Sequence, residues 1–337
     1  MFNTADDFNR WTARAPQADE QVFRQACALQ GQLTKPPGAL GRLEDVACWL
    51  ASWQGRLRPR VQAVDVTVFA GNHGVTARGV SPFPAEVTRQ MVLNFEAGGA
   101  AINTLASEFG YRLSVVPIEL ERPTADFSRD AAMSAADCLA ALNMGAAAVR
   151  AEADLAVFGE MGIGNTTTAS ALAAAVLGGS GGDWAGRGTG HDDAGVQLKA
   201  RVIDEALALH KAHLDTPFEI LRRLGGREIA AMAGAIIAAR MRHVPVVLDG
   251  FVVTAAAALT AMSGQGGLDH CLAGHVSAEQ AHRTMLERLE LVPLLDLGMR
   301  LGEGTGAALA VQVVRAAAAT HGGMATFAEA GVSDREA

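Results

Sequence analysis

From Val61 onward the chain repeats one unit: a short β-branched apolar run, a glycine-rich turn, then a long alanine-rich stretch. VDVTVFAGNHGV reads as a strand running into a turn, and YRLSVVPIEL as a second strand. DLAVFGEMGIGNTTTASALAAAVLG reads as strand, loop and helix, and GREIAAMAGAIIAARMRHVPVVLDG as helix then strand. LVPLLDLGMRLGEGTGAALAVQVVRAAAA reads as strand or turn, loop and helix. This alternation predicts an α/β fold with a parallel sheet covered by helices on both faces. Such sheets bind ligands at the carboxyl ends of their strands, which is where the glycine-rich turns fall. Residues 1–60 are helical in pattern, with Trp11, Trp49 and Trp53 as bulky contacts. Pro36-Pro37-Gly38 breaks that region, and a helix is expected to begin near Leu40.

One stretch, 244–262 (VPVVLDGFVVTAAAALTAM), is long and apolar enough to imitate a membrane span. Asp249-Gly250 divides it into a β-branched part and an alanine-rich part, so it reads as strand, turn and helix. Acidic residues outnumber basic ones, 36 to 28, for a net charge of −8. Nucleic acid and anionic membrane both demand clustered basic charge, so neither is expected as a partner. The cysteines Cys27, Cys48, Cys138 and Cys271 form no CxxC pair, so free thiols are expected rather than a disulfide framework or zinc knuckle. With no basic and apolar leader at the polar N-terminus, a cytoplasmic location is the expectation.

Three glycine-rich segments carry candidate chemistry. Gly159-Glu160-Met161-Gly162-Ile163-Gly164-Asn165-Thr166-Thr167-Thr168 follows the apolar run 155–158 and opens a helix. Free amides and the dipole at a helix start favour an anion, most often phosphate. The same pattern also suits a tight turn capped by threonines. No lysine follows the last glycine, and GxxGxGN is not GxGxxG, so neither a Walker A loop nor a dinucleotide fingerprint is present. Gly186-Arg187-Gly188-Thr189-Gly190-His191-Asp192-Asp193 precedes Lys199, one of three lysines in the chain. Adjacent residues on a helix point apart, so the His-Asp-Asp run is no metal set and no metal is expected. Lys199 fits a phosphate contact or a solvated surface equally well. Leu301-Gly302-Glu303-Gly304-Thr305-Gly306 places an accessible carboxylate at a loop-to-helix junction. An apolar ligand closing over Glu303 would raise its pKa and suit it as a general base; a plain helix-start glutamate is the alternative. Asn72-His73-Gly74, Asp249-Gly250 and His275-Val276-Ser277-Ala278-Glu279 each fit a site or a turn.

In order along the chain, TKPPGALGRLE, FAGNHGV, GVSPFPAEVTRQMV, FGEMGIGNTTTASAL, GRGTG, LDGFVVTAAAL, HVSAEQAHR and LLDLGMRLGEGTGAALA resemble the nicotinate-nucleotide:dimethylbenzimidazole phosphoribosyltransferase (CobT) family. The resemblance covers about 33–316. It implies a Rossmann-like large domain, 61–316, and a small helical domain built from 1–60 and 317–337, in a homodimer. It implies transfer of 5-phosphoribosyl from nicotinate mononucleotide to 5,6-dimethylbenzimidazole, giving α-ribazole 5′-phosphate and nicotinate without cofactor or metal.

The family's catalytic base maps to Glu303. Its phosphoribosyl loop maps to Gly162, Gly164, Asn165 and Thr166, with Glu160 nearby and Lys199 at the same end; Asp249 and Ser277 join this set. The aromatic base is expected near Phe83, Pro84, Met91 and Leu301. Ala39 stands where the family often has serine, and Asn72 where aspartate is frequent. Two other readings share the motifs: a phosphoribosyl hydrolase or phosphorylase, which needs no flat apolar slot, and a non-catalytic nucleotide-sensing or cobamide-binding module, which needs no Glu303.

Overall fold

The structure, a computed structural model, describes residues 1–188 and 190–333. Thr189 of the GRGTG segment and the last four residues of the expected small domain lie outside the described residues. In chain order the elements are α1 (Ala5–Asn9), α2 (Glu20–Gln30), α3 (Arg42–Gln54), β1 (Val64–Ala70), α4 (Glu86–Glu96), α5 (Ala101–Phe109), β2 (Arg112–Pro117), α6 (Ala135–Ala148), β3 (Leu155–Met161) and α7 (Asn165–Leu177). They continue as α8 (Gly181–Trp184), α9 (Asp193–His210), α10 (Pro217–Leu224), α11 (Arg227–Met241), β4 (Val246–Leu248), α12 (Phe251–Ala261), β5 (Cys271–Ala273), α13 (Gln280–Arg288), α14 (Thr305–Gly323) and α15 (Phe327–Ala330).

All strand pairs are parallel, in the order β2-β1-β3-β4-β5. Successive side chains of a strand alternate between the two faces of the sheet, and the apolar runs divide accordingly. Val64, Val66, Val68, Leu155, Val157 and Val247 meet α3, α5 and α14 on one face. Phe69, Ala156, Phe158, Val246 and Leu248 meet α6, α11 and α12 on the other. Burial on both faces explains why these strands read as continuous apolar runs. Chain order reverses between β1 and β3, so a crevice opens outside their carboxyl ends, the usual ligand position in doubly wound sheets.

The apolar 244–262 stretch resolves as expected into β4, the Asp249-Gly250 turn and α12, and no helix among the described residues is long and apolar enough to cross a membrane. The expected α/β rhythm missed one strand. The fifth is the three-residue β5, whereas Leu295 in LVPLLDLG makes only an isolated bridge to His275. β4 is equally short but lies in the β-branched run VPVVL, whereas Cys271-Leu272-Ala273 has no β-branched residue and gives no strand signal.

The two chain ends meet. Gln30 Nε2 donates to His321 Nδ1 at 2.8 Å, and Leu33 pairs with Thr326 in an antiparallel bridge. The three tryptophans of the N-terminal segment bind backbone of the α/β body: Trp11 donates to Thr260 O, and Trp49 and Trp53 both donate to Asp269 O. Arg240, 1 % exposed, lies over the rings of both Trp11 and Trp53. The four cysteines are free, Cys27 exposed and the other three buried.

Candidate active site

The glycine-rich turn after β3 brings several of these groups together. Gly164 takes a left-handed φ of 93° and caps α7, and the Asn165 amide turns back onto Gly162 O at 3.1 Å, closing the loop at the helix start. Asn165 Nδ2 donates to the Glu160 carboxylate. The buried Thr88 of α4 accepts the Ile163 amide at 3.1 Å, which fixes the loop from the side. Burial pushes the Glu160 carboxyl well above its ordinary range; Asp249, Glu228 and Glu303 add to this, while the Asn165 bond opposes it.

Glu303 sits in left-handed backbone, φ 62°, between Gly302 and Gly304, both at φ 82°. For a residue with a Cβ that conformation costs about 1–2 kcal/mol. Two arrangements hold it there. Asp249, at the end of β4, accepts the Gly304 amide at 3.1 Å and the Ala307 amide at 2.9 Å, a carboxylate cap on α14. Gly159 lies directly against the Glu303 peptide: a Cβ there would collide with its carbonyl group, so only glycine fits. Glu303 is 5 % exposed and its Oε2 is buried without a hydrogen-bond partner among the described residues. Burial, then the negative charge of Asp249, pushes its carboxyl up to about 7. His275 Nε2 stands 3.4 Å from Asp249 Oδ1.

A cationic end adjoins the α7 start. Lys199 of α9 is 2 % exposed; its Nζ donates to Thr166 Oγ1 at 3.3 Å and to Gly186 O at 3.1 Å. Burial pulls its pKa down, and Glu279 opposes that. Arg300 Nη1 donates to Gly188 O at 3.1 Å, and Gly188 packs against Lys199 Nζ and Thr166 Oγ1. Burial raises the Glu279 carboxyl, while Lys199, the Gly188 amide and Arg300 pull it back.

The cavity between these groups is lined by Glu160, Gly162, Asn165, Thr166, Ser277, Glu279, Arg300 and Leu301, with Met161, Ile163, Phe251 and Val252 as apolar wall. Gly164, Lys199, Asp249 and Glu303 stand just behind that lining, through the contacts above. Phe83, Pro84 and Met91 do not line it. Phe83 and Pro84 are exposed on the loop before α4, and Met91 is half-buried against the sheet face that carries α5 and α14.

Sequence reasoning missed Glu228, on α11. Its Oε1 lies 2.5 Å from His73 Nε2, both side chains are fully buried, and His73 Nδ1 meets Thr168 Oγ1 at 3.0 Å. Glu228 carries no local motif; only the fold brings it under the loop. Asn72 donates to Leu120 O at 2.8 Å, a turn contact. Asp192 caps α9 and accepts the Gly195 amide. Among the described residues no group of three or more histidines, cysteines or acids is placed to hold a metal.

A doubly wound α/β body with a helix-start anion loop, a buried lysine and a carboxylate tuned near neutrality is equipped to hold a phosphorylated small molecule and take a proton beside it. A family model described as a phosphoribosyltransferase matches residues 15–332. A protein of Ruegeria sp. (strain TM1040), named nicotinate-nucleotide–dimethylbenzimidazole phosphoribosyltransferase, is 60% identical over 99% of this chain and 98% of its own. A Novosphingobium aromaticivorans protein of the same name is 58% identical over 99% and 98%. Two crystal structures from Thermus thermophilus superpose closely. One, described as that phosphoribosyltransferase, has TM-score 0.88 and 43% identity and covers 94% of this chain and 100% of its own. The other, described as CobT, has TM-score 0.87 and 45% identity and covers 93% and 99%. The chain belongs to this phosphoribosyltransferase family.

Proposed function

We propose that this protein transfers the 5-phosphoribosyl group of nicotinate mononucleotide to 5,6-dimethylbenzimidazole, releasing α-ribazole 5′-phosphate and nicotinate, with Glu303 as general base. The names of its relatives supply the substrates. The observation that carries the chemistry is the buried, unpartnered Oε2 of Glu303, on a carboxyl pushed up to about 7.

The phosphate lies at the start of α7, in the loop of Gly162, Gly164, Asn165 and Thr166, with Lys199 as point charge. Ser277 and Asp249 border the same end, Asp249 by holding the Glu303 turn. Cleavage of the glycosidic bond neutralises the pyridinium, so the departing nicotinate needs no general acid. The anomeric carbon gains oxocarbenium character, which the Glu303 carboxylate offsets before it takes up a proton. Dimethylbenzimidazole attacks with one ring nitrogen and loses the proton from the other. Glu303 takes that proton, an effect on the order of 10²- to 10⁴-fold in rate. Attack from the face opposite nicotinate inverts the centre and gives the α-linkage. The apolar wall of Met161, Ile163, Phe251, Val252 and Leu301 favours a flat apolar acceptor over water. Phe83, Pro84 and Met91 would join the base slot only by movement of the α4 segment. Nothing in these steps calls for a metal or other cofactor.

The small helical unit formed by the chain ends, the large α/β domain, a homodimeric state and a cytoplasmic location complete the reading. The test is a mass-resolved product assay with nicotinate mononucleotide and dimethylbenzimidazole. Equimolar nicotinate and α-ribazole phosphate is the expected result. Nicotinate with free ribose 5-phosphate would overturn it.

A further inference from the structure

Behind the cavity wall, His282 of α13 is fully buried and ties the ends of two neighbouring strands together. Its Nδ1 accepts the Ser277 amide at 2.8 Å, beyond β5. Its Nε2 meets Thr254 Oγ1 at 2.9 Å, on α12 beyond β4. Thr254 spends its own hydroxyl hydrogen on Gly250 O at 2.9 Å, so its oxygen is the acceptor for His282 Nε2–H. Nδ1 is then an acceptor and Nε2 a donor, which fixes one neutral tautomer. The ring also stands edge-on to Phe251 and His275, with centroids 6.3 and 6.2 Å away, and both of those residues line the cavity.

Among the described residues, Ser277 is left with one free hydrogen. Its amide is taken by His282, and its Oγ accepts the Glu279 amide at 3.2 Å. What remains is the hydroxyl hydrogen, at the cavity surface. A loose Ser277 peptide would instead rotate its amide and hydroxyl together and lose that aim.

We propose that His282 is a positioning residue for the transfer reaction: through its fixed neutral tautomer and the Thr254 bond, it makes the Ser277 hydroxyl a donor aimed at the phosphoribosyl group. The proposal rests on the phosphoribosyl reading of the cavity, through Ser277. His282 touches no substrate. Its effect falls on nucleotide binding, not on the proton transfer at Glu303.

The test is a double-mutant cycle between His282→Phe and Ser277→Ala, reading KM for nicotinate mononucleotide and kcat separately. Phenylalanine keeps the ring and its edge contacts but removes both nitrogens. Each single variant is expected to raise KM about tenfold, the worth of one positioned hydrogen bond, with kcat within about threefold. The double variant should be no worse than Ser277→Ala alone. His282→Gln, which keeps an acceptor and a donor, should recover part of the loss. Thr254→Val, which removes the acceptor for Nε2–H, should move KM the same way and serves if His282→Phe fails to fold. If Ser277→Ala raises KM while folded His282→Phe or Thr254→Val leaves it unchanged, or if the effects simply add, the role of His282 is refuted. If Ser277→Ala itself leaves KM unchanged, the phosphoribosyl reading of Ser277 is what fails.

Discussion

Asp249 stands behind Glu303 and acts on it in two ways. Its carboxylate accepts the amide of Gly304, the next residue, at 3.1 Å, and so holds the left-handed turn that presents Glu303. Its negative charge also adds to burial in raising the Glu303 carboxyl to about 7. One side chain thus fixes the place of the proposed base and adds to the proton affinity that burial gives it.

That arrangement costs stability. An ordinary 4.5 in the unfolded chain against about 7 in the folded one means the folded state binds the proton more tightly. The stabilising contribution is complete below pH 4.5 and is lost as pH rises through 7. Glu303→Gln is therefore expected to be more stable than the parent at pH 8, by about 1–2 kcal/mol after allowance for partial solvent access, and equal to it at about pH 4. Urea melts at the two pH values measure this; an equal difference at both would show that the carboxyl is not raised by folding.

Buried histidines give the opposite slope. Burial pulls His270 and His282 down from an ordinary 6.5 to about 3. The unfolded chain takes up these protons first, so their contribution is complete above pH 6.5 and declines as pH falls toward 3. His270 Nε2 donates to Ile236 O at 2.9 Å, since a carbonyl can only accept. His270→Gln should flatten the acid limb of the stability curve between about pH 6.5 and 4. An unchanged limb would mean other groups produce it.

Lys199 is buried with no carboxylate of the described residues in contact, held by Thr166 Oγ1 and Gly186 O. Burying a charge in that way is unfavourable until an anion arrives. Lys199→Met is expected to leave the melting temperature unchanged or raise it, while raising KM for nicotinate mononucleotide about 10- to 100-fold. A large loss of stability with KM intact would assign Lys199 a structural role instead.

The parts of the site legible in sequence were those written within one loop. GEMGIGNTT and LGEGTGA each place a carboxylate among glycines at a helix start, and the local pattern alone located the Glu160 and Glu303 turns. Asp249-Gly250 was legible because the apolar texture changes there. Long-range partners were not. Glu228 and His73 are 155 residues apart and meet only because α11 begins beneath the turn after β1. Lys199 read equally as surface, since nothing local says that Gly186 and Thr166 close over it. β5 escaped because Cys271-Leu272-Ala273 carries no β-branched residue, unlike the equally short β4. Phe83, Pro84 and Met91 come from the resemblance alone; Phe83 and Pro84 lie on the loop before α4 and Met91 on α4, all outside the cavity lining.

The measurement that bears most directly on the account is kcat across about pH 5.5–8.5 for the parent protein and Glu303→Gln, with nicotinate mononucleotide and dimethylbenzimidazole saturating. The parent rate should rise with pH through a limb near 7, where Glu303 loses its proton. The variant should bind both substrates, lose on the order of 10²- to 10⁴-fold in rate and lack that limb. A variant that keeps the parent's rate, or keeps the limb, would contradict Glu303 as the base.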